Sequence, residues 1–150
     1  MKKSLKTILI VIGIVILLLS ILAISTMSYF ETLNESEYNI TEVENVSTSI
    51  TDISQTGATI IIKDTNVIKY TYGEWYKMEK EMDGVWYELP TKIKEYGFDS
   101  KGYNVDEKNE VKFDINWEWL YGKLPTGSYR IIKESHHKYI AIPFNIAVTQ

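Results

Sequence analysis

Few residues in this chain have the type and spacing that chemistry requires. His136 and His137 are its two histidines. Neighbours on a strand point to opposite faces, so an adjacent pair is poorly placed to share a metal. Flanked by Lys133-Glu134-Ser135 and Lys138, they read as a polar turn between two strands. There is no Cys, hence no disulfide, no thiol nucleophile and no Cys-ligated metal. H-E-x-x-H, G-x-S-x-G and the P-loop are all missing. Asp99-Ser100-Lys101-Gly102 lacks the acid spacing of a calcium loop, and Glu107 with Glu110, or Asp106 with Asn109, offers at most a loose calcium site. Carboxylate-pair hydrolysis needs two acids across a cleft, but 20 acids produce such pairs by chance. The sequence therefore assigns no catalytic residue, no metal ligand and no cofactor.

The elements that would position a site are short strands. Val46–Ile53 and Ala58–Lys63 read as the first two, the second β-branched and bounded by Gly57 and Asp64-Thr65-Asn66. Lys69–Met82 is aromatic and alternating. Asp83-Gly84 and then VWYEL follow, and D-G between alternating runs predicts a type I′ hairpin because that turn needs positive φ at both centres. Tyr96–Asn109 is a polar, Gly-containing middle. In Val111–Trp119 the residues Val111, Phe113, Ile115, Trp117 and Trp119 are expected on one face. Ser128–Lys133 and Tyr139–Val148 complete the set, with Ile140, Ile142, Phe144, Ile146 and Val148 sharing a face. About seven short strands and no helix after residue 30 predict an all-β, immunoglobulin-like antiparallel β-sandwich over residues 46–150.

The stretch LYGKLPTGSYRII, Leu120 to Ile132, agrees with that fold. In such sandwiches the E–F connection crosses between sheets, and a Tyr near the start of F bonds its hydroxyl to upstream backbone. Leu124 would plug the core, Pro125 fix φ, Gly127 permit positive φ, and Tyr129 supply the tie. Arg130, the single arginine of the chain, then points outward on strand F. Strand C, with Tyr76 and Met78 inward, turns Trp75, Lys77 and Glu79 outward. Arg130 is expected to pair with Glu79 and lie over Trp75. Two readings follow for Trp75, Glu79 and Arg130: a surface recognition patch, or a structural cross-strand pair worth about 0.2–1 kcal/mol.

A family resemblance rests on two longer stretches. YGEWYKMEKEMDGVWYELP (Tyr72–Pro90) carries Tyr-Gly-x-x-Tyr-x-x-Glu, and WEWLYGKLPTGSYRIIKE (Trp117–Glu134) carries Leu-Tyr-Gly-x-Leu-x-x-Gly-x-Tyr-Arg. Both resemble the bacterial immunoglobulin-like domain of exported and membrane-attached Gram-positive proteins, over roughly residues 46–148. The resemblance implies a sandwich and a surface location, and no catalytic residues.

The N-terminal end differs in kind. Lys2, Lys3 and Lys6 precede TILIVIGIVILLLSILAIS, which carries no charge, and the first acid is Glu31. Residues 1–30 read as a membrane anchor or a signal peptide cleaved near Ser25; the length favours a single-pass anchor with the lysines inside and the C-terminal domain extracellular. Residues 31–45, ETLNESEYNITEVEN, read as an acidic linker. Without the first 30 residues, 13 basic side chains face 20 acidic ones, a net −7 that disfavours nucleic acid. The expectation is a non-catalytic binding or sensing module on the cell membrane, its partner a protein or cell-wall ligand. The alternative is a secreted hydrolase or enzyme accessory domain with an unrecognised carboxylate site.

Overall fold

The computed structural model describes residues 2–30 and 33–147, with the side chains of the N-terminal helix described from Lys6 to Leu22. The chain divides into two compact units, residues 1–33 and 34–150. The first is helix α1, Lys2–Phe30. Its described apolar side chains are exposed on every face, from Ile8 to Leu22. Among the described residues, no helix is long and apolar enough to cross a membrane.

The second unit is mostly β: β1 (Val46–Thr51), β2 (Gly57–Asp64), β3 (Tyr72–Gly73), β4 (Lys77–Met82), β5 (Val85–Glu88), β6 (Gly102–Tyr103), β7 (Glu110–Asn116), β8 (Gly127–Ser135) and β9 (Lys138–Ile146), with the short helix α2 (Glu118–Tyr121) after β7. One antiparallel sheet runs β1-β2-β7, a second runs β5-β4-β8-β9, and β3 pairs with β6. The core lies between the two larger sheets. Ile60, Ile62, Val111 and Phe113 from one meet Met78, Ile131, Ile142 and Phe144 from the other in one buried cluster. Alternation explains the layering: on β7 Val111, Phe113 and Ile115 are buried while Lys112, Asp114 and Asn116 are exposed, so one face seals the core.

Nine strands occur among the described residues where about seven were expected, because the aromatic run Lys69–Met82 divides and because β6 forms inside the polar middle Tyr96–Asn109, where it pairs with β3. The first part of the aromatic run pairs as β3 and its second as β4, with Glu74, Trp75 and Tyr76 between them. Asp83 and Gly84 both have positive φ, 52° and 81°, as the type I′ hairpin requires. The run ending at Trp119 is shorter than expected. The chain turns into α2 after Asn116, so Trp119 leaves the strand face and is exposed, while Trp117 is fully buried. Val148 lies outside the described residues.

The stretch read as a linker is bonded to the sandwich from Asn34 onward. Asn34 O accepts from Glu88 N–H, Ser36 N–H donates to Trp86 O, and Thr41 N–H donates to Tyr139 O. Val43 packs against the core. This strap, residues 34–45, half-buries Ser36, Tyr38, Ile40 and Val43 and exposes Glu37, Asn39, Glu42 and Glu44, and it touches the sheet through isolated bridges from Glu35 to Tyr87 and from Ile40 to Tyr139.

Candidate functional site

Arg130 and Glu79 come together as a cross-strand pair of β8 and β4. Arg130 Nε lies 2.5 Å from Glu79 Oε2. The guanidinium stacks at 4.3 Å over Trp86 of β5, not over Trp75 as the sequence reading had it. Trp86 sits on the next strand out, in reach of the long Arg side chain. Trp75 instead joins Tyr38 of the strap and Tyr139 of β9, with ring centroids 5.9–6.0 Å away.

This face is not open. The Glu79 side chain is 0% exposed and that of Arg130 13%. Ile132, which shares the outward face of β8, is also fully buried. The strap contributes to the cover: Arg130 Nη2 donates to Ser36 Oγ at 3.3 Å, and Tyr38 packs edge-on against Tyr139. Burial, followed by the nearby Glu88 charge, pushes the Tyr38 hydroxyl up to about 12. Trp75, Glu79 and Arg130 therefore do not form an exposed recognition patch. They lie between the sheet and the strap. Glu79 Oε1 has no hydrogen-bond partner there, so the pair is only half satisfied.

At the E–F crossing, Leu124 is buried and its N–H donates to Gln55 O. Tyr129 is buried, stacks on Phe144, and donates its hydroxyl to Pro125 O at 2.8 Å. Gly127 has φ 159°, a positive value that residues with a side chain rarely adopt, as expected of this glycine. A Cβ there would lie 3.3 Å from the Tyr129 ring, so glycine leaves room for the ring to fold back.

The opposite end of the sandwich holds a second buried carboxylate. Asp64, the last residue of β2, is fully buried. His136 Nε2 lies 2.8 Å from its Oδ2, and Tyr72 Oη donates to the same oxygen at 3.1 Å. Asn66 supplies its backbone N–H and side-chain amide to Oδ1, both at 3.0 Å. Burial by itself would raise the Asp64 carboxyl, but the hydrogen bonds from His136, Asn66 and Tyr70 outweigh it and hold the pKa down at about 2. Ser135 Oγ meets Tyr72 Oη at 3.1 Å, and Tyr70 Oη donates to Glu134. His136 and His137 are the two central residues of the β8–β9 turn, with φ 48° and 60°. They were expected in a solvated loop, and His137 is. His136 is instead tied to an acid 72 positions away, a pairing that no local spacing signals.

That network fixes the base of the loop between β2 and β3. At its tip Val67 and Ile68 are 99% and 83% exposed. No other apolar side chains described in the sandwich unit are so open.

Several other acids of the sandwich are engaged. Glu74 accepts from the Tyr103 hydroxyl and Glu134 from that of Tyr70, so the acids beside the shallow groove at Lys101 and Gly102 are not a free pair. Asp106 Oδ1 accepts the N–H groups of Lys108 and Glu110. Its carboxylate closes a turn. No group of three or more His, Cys, Asp or Glu suited to a metal occurs among the described residues. Lys133 is buried inside the core, where burial pulls its ammonium down to about 8 against the raising effect of Glu74. Its Nζ donates to Gly73 O.

Residues 34–145 match the family model described as "Bacterial Ig-like domain". No curated protein and no solved structure matches the chain.

Proposed function

The chain belongs to the bacterial Ig-like domain family, and on that premise we propose that it is a non-catalytic binding module whose contact surface is the loop end of the sandwich. The observation that carries the reading is the pair Val67-Ile68, exposed at 99% and 83% on a loop whose base is held by the Asp64 network. Exposed apolar side chains on a rigid base favour contact with a partner, because ordering costs are already met before binding. The partner class is a protein or cell-wall component outside the membrane.

The tether belongs to the same proposal. Its support is the uncharged run Thr7–Ser25, which extends past the last described side chain of α1, and the three lysines before it. Apolar side chains exposed on all faces of a helix are stable in lipid rather than water. The lysines would hold the N-terminus inside and the sandwich outside.

Two measurements test this reading. The tagged full chain is used to capture partners from membrane and wall fractions, alongside Val67→Asp and Ile68→Asp. Capture lost in both variants, with circular dichroism unchanged, is the expected result. Capture independent of these residues would remove the loop end from the proposal. Mass spectrometry of the cell-associated protein should show an intact N-terminus, and a mature form beginning near Thr26 would mean secretion.

A further inference from the structure

The edge of the three-stranded sheet is chemically self-complementary. Among the described residues β7 pairs only with β2, and no strand is hydrogen-bonded to its other edge, which borders a groove also lined by Phe98, Tyr103 and Trp119. The ladder determines which groups turn outward. Asp64 N–H donates to Asn109 O, and Trp117 N–H donates to Thr56 O, which makes the odd residues of this stretch the partners of β2. In an antiparallel ladder the alternate residues then direct their N–H and C=O to the far edge. Glu110 spends its outward groups on Asp106: its N–H donates to Asp106 Oδ1, and its carbonyl accepts from Asp106 N–H. Lys112, Asp114 and Asn116 face the groove along that edge. Lys112 and Asp114 are also the charged side chains of the solvent face, 60% and 74% exposed, with Nζ 3.5 Å from Oδ1.

We propose that two copies of this chain associate through β7, edge to edge and antiparallel, about a two-fold axis at Phe113. That register sets Lys112 opposite Asp114 of the partner copy, twice. It also makes the two residues of each pair exchange both backbone hydrogen bonds, because both present their free groups on this edge. Shifting the register by two residues breaks the charge match, and a one-residue shift breaks the backbone match. Exposed charges on an edge strand ordinarily discourage pairing. Here their alternation in sign selects one antiparallel register, and a C2 interface asks for that self-complementarity. The result is a continuous sheet β1-β2-β7-β7-β2-β1 across the two copies.

The test is the association of the full chain in detergent micelles, followed by sedimentation. Asp114→Lys sets lysine against lysine at both pairs and should weaken association roughly tenfold or more. Lys112→Asp should do the same. The exchange Lys112→Asp with Asp114→Lys restores opposite charges and should restore association. Lys112→Pro removes one outward N–H without touching the β2 ladder, and should weaken association with the fold intact. Association that ignores all four variants would place it elsewhere, α1 included, and overturn the proposal. A monomeric chain whose edge binds a synthetic peptide copying Val111–Trp117 would also overturn it, by assigning the edge to a foreign strand.

Discussion

Two buried carboxylates lie at different places in the sandwich, and each faces a cationic or cation-forming partner. Glu79 pairs with Arg130 on a face covered by the chain's own strap. Asp64 pairs with His136 beneath a loop whose tip stays bare. The first pair ends in closed structure: Ile132 beside it is sealed, and Ser36 and Trp86 surround the guanidinium. The second supports something that projects, since Asn66 and Tyr70, which bond to Asp64, bracket Val67 and Ile68. A charge pair is thus no sign of a binding surface by itself. What covers it decides whether it serves stability or presentation.

The contrast makes the largest stability effect and the largest binding effect fall on different residues. Both are measured on residues 34–150, because a fragment starting at Val46 would lack the strap. Arg130→Ala leaves Glu79 buried without its cation and should cost about 3–5 kcal/mol in urea unfolding. At a denaturant concentration where it stays folded, partner capture should be unchanged. A loss below about 1 kcal/mol would mean the strap opens to hydrate Glu79, and the two regions would no longer differ.

Asp64→Asn should cost less, about 1.5–3 kcal/mol, since the amide keeps some of the bonds that the carboxylate makes. Unlike Arg130→Ala, it should weaken capture. Acid provides the same test without mutation. The folded pKa of Asp64, about 2, lies below its ordinary 3.8. The stability it contributes is therefore present above about pH 4 and lost as pH falls through about 2, on the order of 2 kcal/mol. If Asp64→Asn shows the same acid profile as the parent chain, the carboxylate is not what holds the loop.

Tyr129→Phe removes the bond to Pro125 O and strands that carbonyl, for roughly 1–2 kcal/mol. Tyr139→Phe, whose ring contacts to Tyr38 and Trp75 survive the change, should cost no more than about 0.5 kcal/mol. Equal small losses would mean the hydroxyl is not what fastens the crossing. The smallest stability effect is expected at Val67→Asp and Ile68→Asp, within about 0.5 kcal/mol because nothing packs on them. Those two variants should nevertheless abolish capture. Were they to unfold the domain instead, the tip would be part of its core and not a contact surface.

Much of the framework was legible in the chain. Alternation on β7 placed Val111, Phe113 and Ile115 inward, and the Asp-Gly pair specified the β4–β5 turn. Leu124, Gly127 and Tyr129 were readable as a crossing because a tyrosine corner is local, its bond spanning four residues. Even Glu79 with Arg130 followed from counting faces on two strands. Trp119 was misplaced because α2 interrupts the alternation within a run whose composition gives no warning.

The sequence by itself determined where the longer strands β1, β2, β7, β8 and β9 lie, which face of β7 is apolar, and that residues 7–25 carry no charge, since all of these depend on neighbours along the chain. Only the tertiary structure decided what is covered. The strap touches β5, β8 and β9, strands that lie far from it in sequence, through Trp86, Arg130 and Tyr139. His136 finds Asp64 across 72 residues. The outer edge of β7 is unpaired because no strand among the described residues is hydrogen-bonded to it. Burial of a charge is a property of everything that converges on it in space, and a periodic pattern records only the face that a residue's own element turns toward the core.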